Sequence, residues 1–204
     1  MQDLKENDTE KEIEIEYKAL LSEERFEELL SYFSKFTEAK APYIQTNYYF
    51  DTKEHILIKQ GITVRLRNTE DSWKLQIKIP KQTDGLFNKQ EETGQVISKL
   101  LAGDFVNNGI DGYNQLLDSV TILKELDIER LSMIGVLQTL RYDFMFYTDT
   151  ISLDKSTYLG ITDYELEWET NNHKFVLYEL NKLGLVPIKN IGKINRFLHR
   201  LLEK

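Results

Sequence analysis

The segment Glu12-Ile13-Glu14-Ile15-Glu16-Tyr17-Lys18 alternates charged and apolar residues with period two. That period is the geometry of a β-strand, in which successive side chains point to opposite faces. Glu12, Glu14, Glu16 and Lys18 share one face, and Ile13, Ile15 and Tyr17 share the other. A row of three carboxylates is self-repelling and therefore costly unless water or a cation meets it. Any fold of this chain must solvate or compensate that face while burying the other.

Later segments repeat the pattern. Thr63-Val64-Arg65-Leu66-Arg67 places two arginines on one side. Trp73-Lys74-Leu75-Gln76-Ile77-Lys78-Ile79 sets Lys74, Gln76 and Lys78 opposite Leu75, Ile77 and Ile79. Ile151-Ser152-Leu153-Asp154 obeys the same rule, and Tyr164-Glu165-Leu166-Glu167-Trp168-Glu169 returns to three carboxylates. One alternating strand is ordinary for a half-exposed sheet. The segregation is less ordinary: two strands carry acids on the polar face, with one lysine among them, and two carry bases. A sheet of this kind closed into a barrel has two solutions. Either the apolar residues fill the inside and the charges coat the surface, or helices cover the apolar outside and the lumen is charged and wet. The helical segments favour the second. Ser22 is an N-cap followed by Glu23 and Glu24, and Phe26, Leu29, Leu30 and Phe33 recur with helical spacing. Phe175, Leu177, Tyr178, Leu180 and Leu183 form a second apolar face, ended by Gly184 with Pro187 beyond, and Ile194, Phe197, Leu198 and Leu201 a third.

The expected order is strand 12–19, helix 22–36, strand 43–51, a helical turn 52–59, strands 61–68, 72–80 and 87–95, short helices within 97–129, strands 132–147, 150–158 and 161–170, and helices 173–184 and 193–203. This is an α+β chain with an eight-stranded antiparallel β-barrel, or tunnel, clad by helices. Residues 1–11 are expected as a disordered lead, and 12–204 as one domain with a helical insertion near 97–129. The 204 residues suffice for one substantial core, and no apolar run approaches the roughly 18 residues of a membrane helix. The absence of cysteine excludes disulfides and thiolate sites, and Met1–Lys11 has no apolar h-region, so a cytoplasmic protein is expected. A net charge of -8 argues against a general nucleic-acid binder, because grip on a phosphate backbone needs a cationic surface.

Glu14 and Glu16 with Glu165 and Glu167 offer oxygen-only ligands, which suit Mg²⁺ or Mn²⁺. Lys18, Arg65, Arg67, Lys74, Lys78 and Arg141 form a cationic set; arginine forks match phosphate oxygens and lysines add point charge. A lumen with acids on one side and bases on the other suits a polyphosphate held by cations while a metal contacts its reacting end. So many ions cannot be buried dry, so such a lumen is hydrated and charge-compensated.

In these motifs the chain resembles the CYTH superfamily, the triphosphate tunnel metalloenzymes, and within it the YjbK-like bacterial branch. Glu14-Ile15-Glu16-Tyr17-Lys18 matches the ExExK signature, Arg65-Leu66-Arg67 the paired basic residues of a middle strand, and Leu75-Gln76-Ile77-Lys78 the LTLK strand, with Gln76 in place of threonine. Arg141, Asp154 and the second ExE pair, Glu165 and Glu167, follow in order, and Lys193 and Arg196 lie on the C-terminal helix. The resemblance implies metal-dependent hydrolysis of a small-molecule triphosphate, with Glu14, Glu16 and Lys18 catalytic. It implies metal held by Glu14, Glu16, Glu165 and Glu167 with Asp154 and Glu92, and phosphate held by Lys18, Arg65, Arg67, Lys74, Lys78, Arg141, Lys193 and Arg196. Strand parity turns only one of Glu91 and Glu92 inward; Glu92 fits the family pattern better. An adenylate cyclase, or a non-catalytic polyphosphate or nucleotide binder, is the alternative on the same scaffold.

Overall fold

Strand β1 (Glu10–Leu21) extends the alternating segment at both ends. It takes in the last two residues of the expected lead, and both find ion partners there: Glu10 with Lys74 and Lys11 with Glu91, each at 2.7 Å. The computed structural model describes residues 9–35, 41–70, 72–82, 87–186 and 192–202; the rest of the expected lead, residues 1–8, and Pro187 lie outside them. After β1 come α1 (Glu23–Phe33), β2 (Tyr43–Asp51), α2 (Ile56–Lys59), β3 (Thr63–Thr69), β4 (Ser72–Pro80) and β5 (Asn88–Ile97). The segment expected as a helical insertion holds α3 (Lys99–Asn108), a two-residue strand β6 (Ile110–Asp111), α4 (Gln115–Asp118) and α5 (Thr121–Glu125). β7 (Arg130–Phe146), β8 (Asp149–Tyr158), β9 (Ile161–Glu169), α6 (His173–Lys182) and α7 (Lys193–Leu202) complete the order.

The strands are hydrogen-bonded in the order β2-β3-β4-β5-β1-β9-β8-β7, and β2 also pairs with β7. Eight antiparallel strands thus close into a barrel, and β6 is a short addition on β7. By contacts among the described residues the chain divides into two compact units. One draws on Met1–Ile13, Thr46–Pro80 and Glu91–Leu137, the other on Glu14–Gln45, Lys81–Gln90 and Gln138–Lys204.

In the first unit, Val64 and Leu66 of β3 and Leu75 and Ile77 of β4 are buried against Leu57, Ala102, Phe105, Leu116, Leu117 and Leu123 from α2 to α5. The connecting turns depend on glycine. A Cβ at Gly112 would stand 1.5 Å from the Ile128 carbonyl oxygen, and Gly109 combines a φ of +83° with a 2.5 Å approach to the Leu131 carbonyl.

In the second unit, Tyr17, Ala19, Phe144, Ile151, Leu153, Leu166 and Trp168 form the apolar face of the strands. Phe26, Leu29 and Phe33 of α1 and Val176 and Leu180 of α6 cover it. Ser22 caps α1 by accepting from the Arg25 amide at 3.1 Å, with Glu23 and Glu24 in the first turn. Gly184 ends α6, its φ of +63° turning the chain so that the Leu185 amide reaches the Leu180 carbonyl at 2.9 Å. The apolar faces are thus covered by α2 to α5 in the first unit and by α1 and α6 in the second, whereas α7, expected as a third covering helix, meets the charged face of the second unit through Lys193 and Arg196.

Candidate active site

The register of the second unit stacks its polar residues in rows. Arg141, Asp154 and Glu165 are successive cross-strand partners on β7, β8 and β9. The next row is Asp143, Ser152, Glu167 and, on β1, Lys18; the row after it carries Thr150, Glu169 and Glu16. Because strand side chains alternate faces, all of these share the face opposite Trp168 and Leu153.

Ion pairing ties the rows together. The Arg141 guanidinium donates to both oxygens of Asp154, at 2.7 and 2.6 Å, and to Glu167 at 2.5 Å. Lys193, on the first turn of α7, places its Nζ 2.6 Å from Asp154, 2.6 Å from Glu167 and 3.3 Å from Glu165. One turn on, Arg196 donates to Asp163 and Glu165, each at 2.8 Å. Lys18 lies 3.0 Å from Glu16 and 3.1 Å from Glu167. Burial works against the Lys18 ammonium, but Glu16, Glu167 and Glu165 outweigh it, so its pKa stands well above a free lysine's. Burial likewise opposes the Glu167 carboxylate, and Lys18, Lys193 and Arg141 hold its pKa well below the usual range. Asp154 is lowered against its burial by Arg141 and Lys193. Glu169 goes the other way, pushed up to about 7 by desolvation and by Glu14, Glu167 and Glu16 beside it.

The first unit carries the basic set. Arg65 donates from Nε to Gln76 at 3.0 Å and from Nη2 to Glu92 at 3.5 Å, and Lys78 lies 2.7 Å from Glu92. Gln76 donates to the other Glu92 oxygen. Glu92 is buried; its desolvation raises the pKa, but Arg65, Lys78 and Arg67 overcome it and hold it down to about 2. Of the adjacent acids, Glu92 thus meets the arginine and lysine row, while Glu91 lies on the opposite parity with Lys11. Arg67 donates to Asn47 at 3.0 Å. Lys74 reaches Glu10 past Gly94, where a Cβ would stand 2.5 Å from the lysine Cε. Glu12 brings a carboxylate oxygen within 4.8 Å of one on Glu92.

The structure therefore brings Glu14, Glu16, Lys18, Arg141, Asp154, Glu165, Glu167, Lys193 and Arg196 into one unit, and Arg65, Arg67, Lys74, Lys78 and Glu92 into the other. It adds polar residues that sequence reading passed over. Asp143 accepts from Ser152 at 2.7 Å and from the Tyr43 hydroxyl at 2.8 Å, and Gln90 donates to Glu16 at 2.6 Å and to Glu14 at 3.4 Å. Asp143 had a signal in its sequence, since it shares the parity of Arg141; Gln90 had none beyond sharing that of Glu92. Carboxylate oxygens at Glu14 and Glu16 are the hard donors that Mg²⁺ and Mn²⁺ take. At Glu16 both Lys18 and Gln90 reach Oε1, so the two donors crowd one oxygen and leave Oε2 for a cation.

A CYTH domain family model matches residues 12–197. The candidate triphosphatase YjbK of Bacillus subtilis (strain 168) is 31% identical over 162 residues, 78% of this chain and 77% of that protein. The crystal structure of a candidate adenylate cyclase from Bacillus halodurans is 31% identical, with a TM-score of 0.78 over 92% of this chain and 98% of that one. A candidate adenylyl cyclase of Hippeastrum, HpAC1, described as having a dominant triphosphatase activity, shares the fold at 23% identity and a TM-score of 0.75, covering 91% of this chain and 95% of its own.

Proposed function

The chain belongs to the CYTH domain family, and from that premise we propose that it hydrolyses a triphosphate with the help of a divalent metal. The substrate is inorganic tripolyphosphate or an organic triphosphate such as a nucleotide or thiamine triphosphate. The observation that carries this reading is the cross-strand alignment of Glu16 and Lys18 with Glu169 and Glu167, which sets acids and an ammonium on one polar surface. A pure anion binder has no use for acids facing its ligand, whereas a metal enzyme does. The 31% identity to YjbK supports the same reading.

In this reading Glu14 and Glu16 hold the metal, with Glu165, Glu167, Asp154 and Glu92 as further oxygen ligands. Bound Mg²⁺ or Mn²⁺ neutralises phosphate charge and lowers the pKa of an attacking water. Arg65, Arg67, Lys74, Lys78, Arg141, Lys193 and Arg196 grip phosphate oxygens and, with Lys18, stabilise the charge that develops during transfer. At Asp154, Glu165 and Glu167 the Lys193 ammonium already supplies a cation, so a metal there exchanges with it. A small-molecule triphosphate in the cytoplasm, and not a nucleic acid, is the partner this reading takes. Among the described residues no helix is long and apolar enough to cross a membrane.

Purified protein is expected to release phosphate from tripolyphosphate, ATP or thiamine triphosphate with Mg²⁺ or Mn²⁺, and Glu16→Ala to lose that activity by at least 100-fold, on the order expected for a metal or electrostatic group. No release from any of the three with either metal ends the reading. The likeness to the Bacillus halodurans protein favours one alternative, a cyclase that directs a ribose hydroxyl at the α-phosphate. Cyclic AMP and pyrophosphate among the products, identified by mass, separate it from hydrolysis.

A further inference from the structure

Gln90 lies at the start of β5, half-buried, on the same face of the strand as Glu92. Its Nε2 stands 2.6 Å from Glu16 Oε1 and 3.4 Å from Glu14 Oε2. An ionised carboxylate only accepts, so the amide nitrogen is the atom that must face both acids, and its two hydrogens allow one for each. The two carboxylates belong to one strand face two residues apart, where each repels the other. A donor shared between them offsets that repulsion and restricts both side chains. It does so without a net charge: a lysine or arginine at this position would neutralise the pair and repel an incoming dication. Lys18 already places one positive charge on the same Glu16 oxygen at 3.0 Å, so a second would over-compensate the pair.

We propose that Gln90 is a positioning residue that pre-organises Glu14 and Glu16 to receive the divalent metal. This rests on the proposed metal site but is independent of which triphosphate is cleaved. By taking Glu16 Oε1 together with Lys18, Gln90 turns Oε2 toward the ligand. By reaching Glu14 it restrains the second carboxylate beside the first. Partners that orient metal ligands typically account for 10- to 100-fold in metal affinity.

The test is Mn²⁺ binding to the full chain without substrate, followed by the electron paramagnetic resonance of free Mn²⁺. Thermal unfolding in EDTA serves as the check on folding. Gln90→Met keeps the length and removes both donors, and is expected to weaken Mn²⁺ binding by about 10- to 100-fold. Gln90→Asn keeps the amide but withdraws it by one methylene, and is expected to lose a smaller part of the affinity in the same direction. If the Met variant does not fold, the Asn variant decides. Unchanged Mn²⁺ affinity in a folded variant overturns the proposal, as does failure of the unaltered chain to bind Mn²⁺ at all. Loss of affinity in the variants together with no hydrolysis by the unaltered chain would leave Gln90 in this role and remove the triphosphatase reading instead.

Discussion

Glu92 shows how single residues set the electrostatics of the basic unit. It is buried, yet it stays ionised because Arg65 and Lys78 meet it. Its folded pKa, about 2, is depressed below the ordinary 4.5, so its stabilisation is present above about pH 4.5 and is lost as pH falls toward 2. Glu92→Gln takes the carboxylate away from the buried Arg65 and the half-buried Lys78 and is expected to cost about 3–5 kcal/mol at pH 7, read by urea unfolding. The gap between variant and parent should narrow as pH drops through that window, and a gap that stays constant would show the charge is not what matters. Parity made Arg65 and Arg67 legible as one face of β3, because Leu66 separates them, and put Lys78 with Lys74 and Gln76 on one face of β4. It could not choose between Glu91 and Glu92, which are adjacent. The choice came from the partner each one meets, Lys11 for Glu91 and the Arg65–Lys78 row for Glu92.

At the scale of elements, α7 is held to its unit by two cations one turn apart. Lys193 reaches three carboxylates and Arg196 two, while Phe197, next to Arg196, packs on Tyr158 with ring centroids 5.8 Å apart. Lys193→Met removes the ammonium and leaves Asp154, Glu165 and Glu167 undercompensated. It is expected to destabilise the protein by about 3–5 kcal/mol in EDTA. If those acids accept a metal, saturating Mn²⁺ should raise the melting temperature of this variant more than that of the parent; an equal rise would exclude them as a cation site. Sequence placed the basic residues of this helix at the right spacing. It could not say that they rest on carboxylates, since that depends on where the helix docks on the sheet.

Across the whole molecule, ligation and folding are coupled. A metal that binds only the folded chain stabilises it by RT ln(1 + [M]/Kd), about 2.7 kcal/mol at a hundred times Kd. Saturating Mg²⁺ or Mn²⁺ is therefore expected to raise the melting temperature of the parent chain, and to do so by much less in Glu16→Ala. An equal rise in both would place the stabilising ion elsewhere. The period-two alternation by itself determined which face of each strand is charged, and the helical periods determined that apolar stripes exist to cover the other face. These are local consequences of backbone geometry, which is why they can be read from residue order. Register decided the rest. Glu16 stands opposite Glu169 and Arg141 opposite Asp154 because strands distant in sequence pair at particular offsets. The neighbouring of β5 and β1 in the sheet lets Gln90 reach two acids more than seventy residues away in the chain. No pattern within a single segment encodes such an offset; it is fixed when, within each unit, the apolar faces of the strands pack beneath their helices.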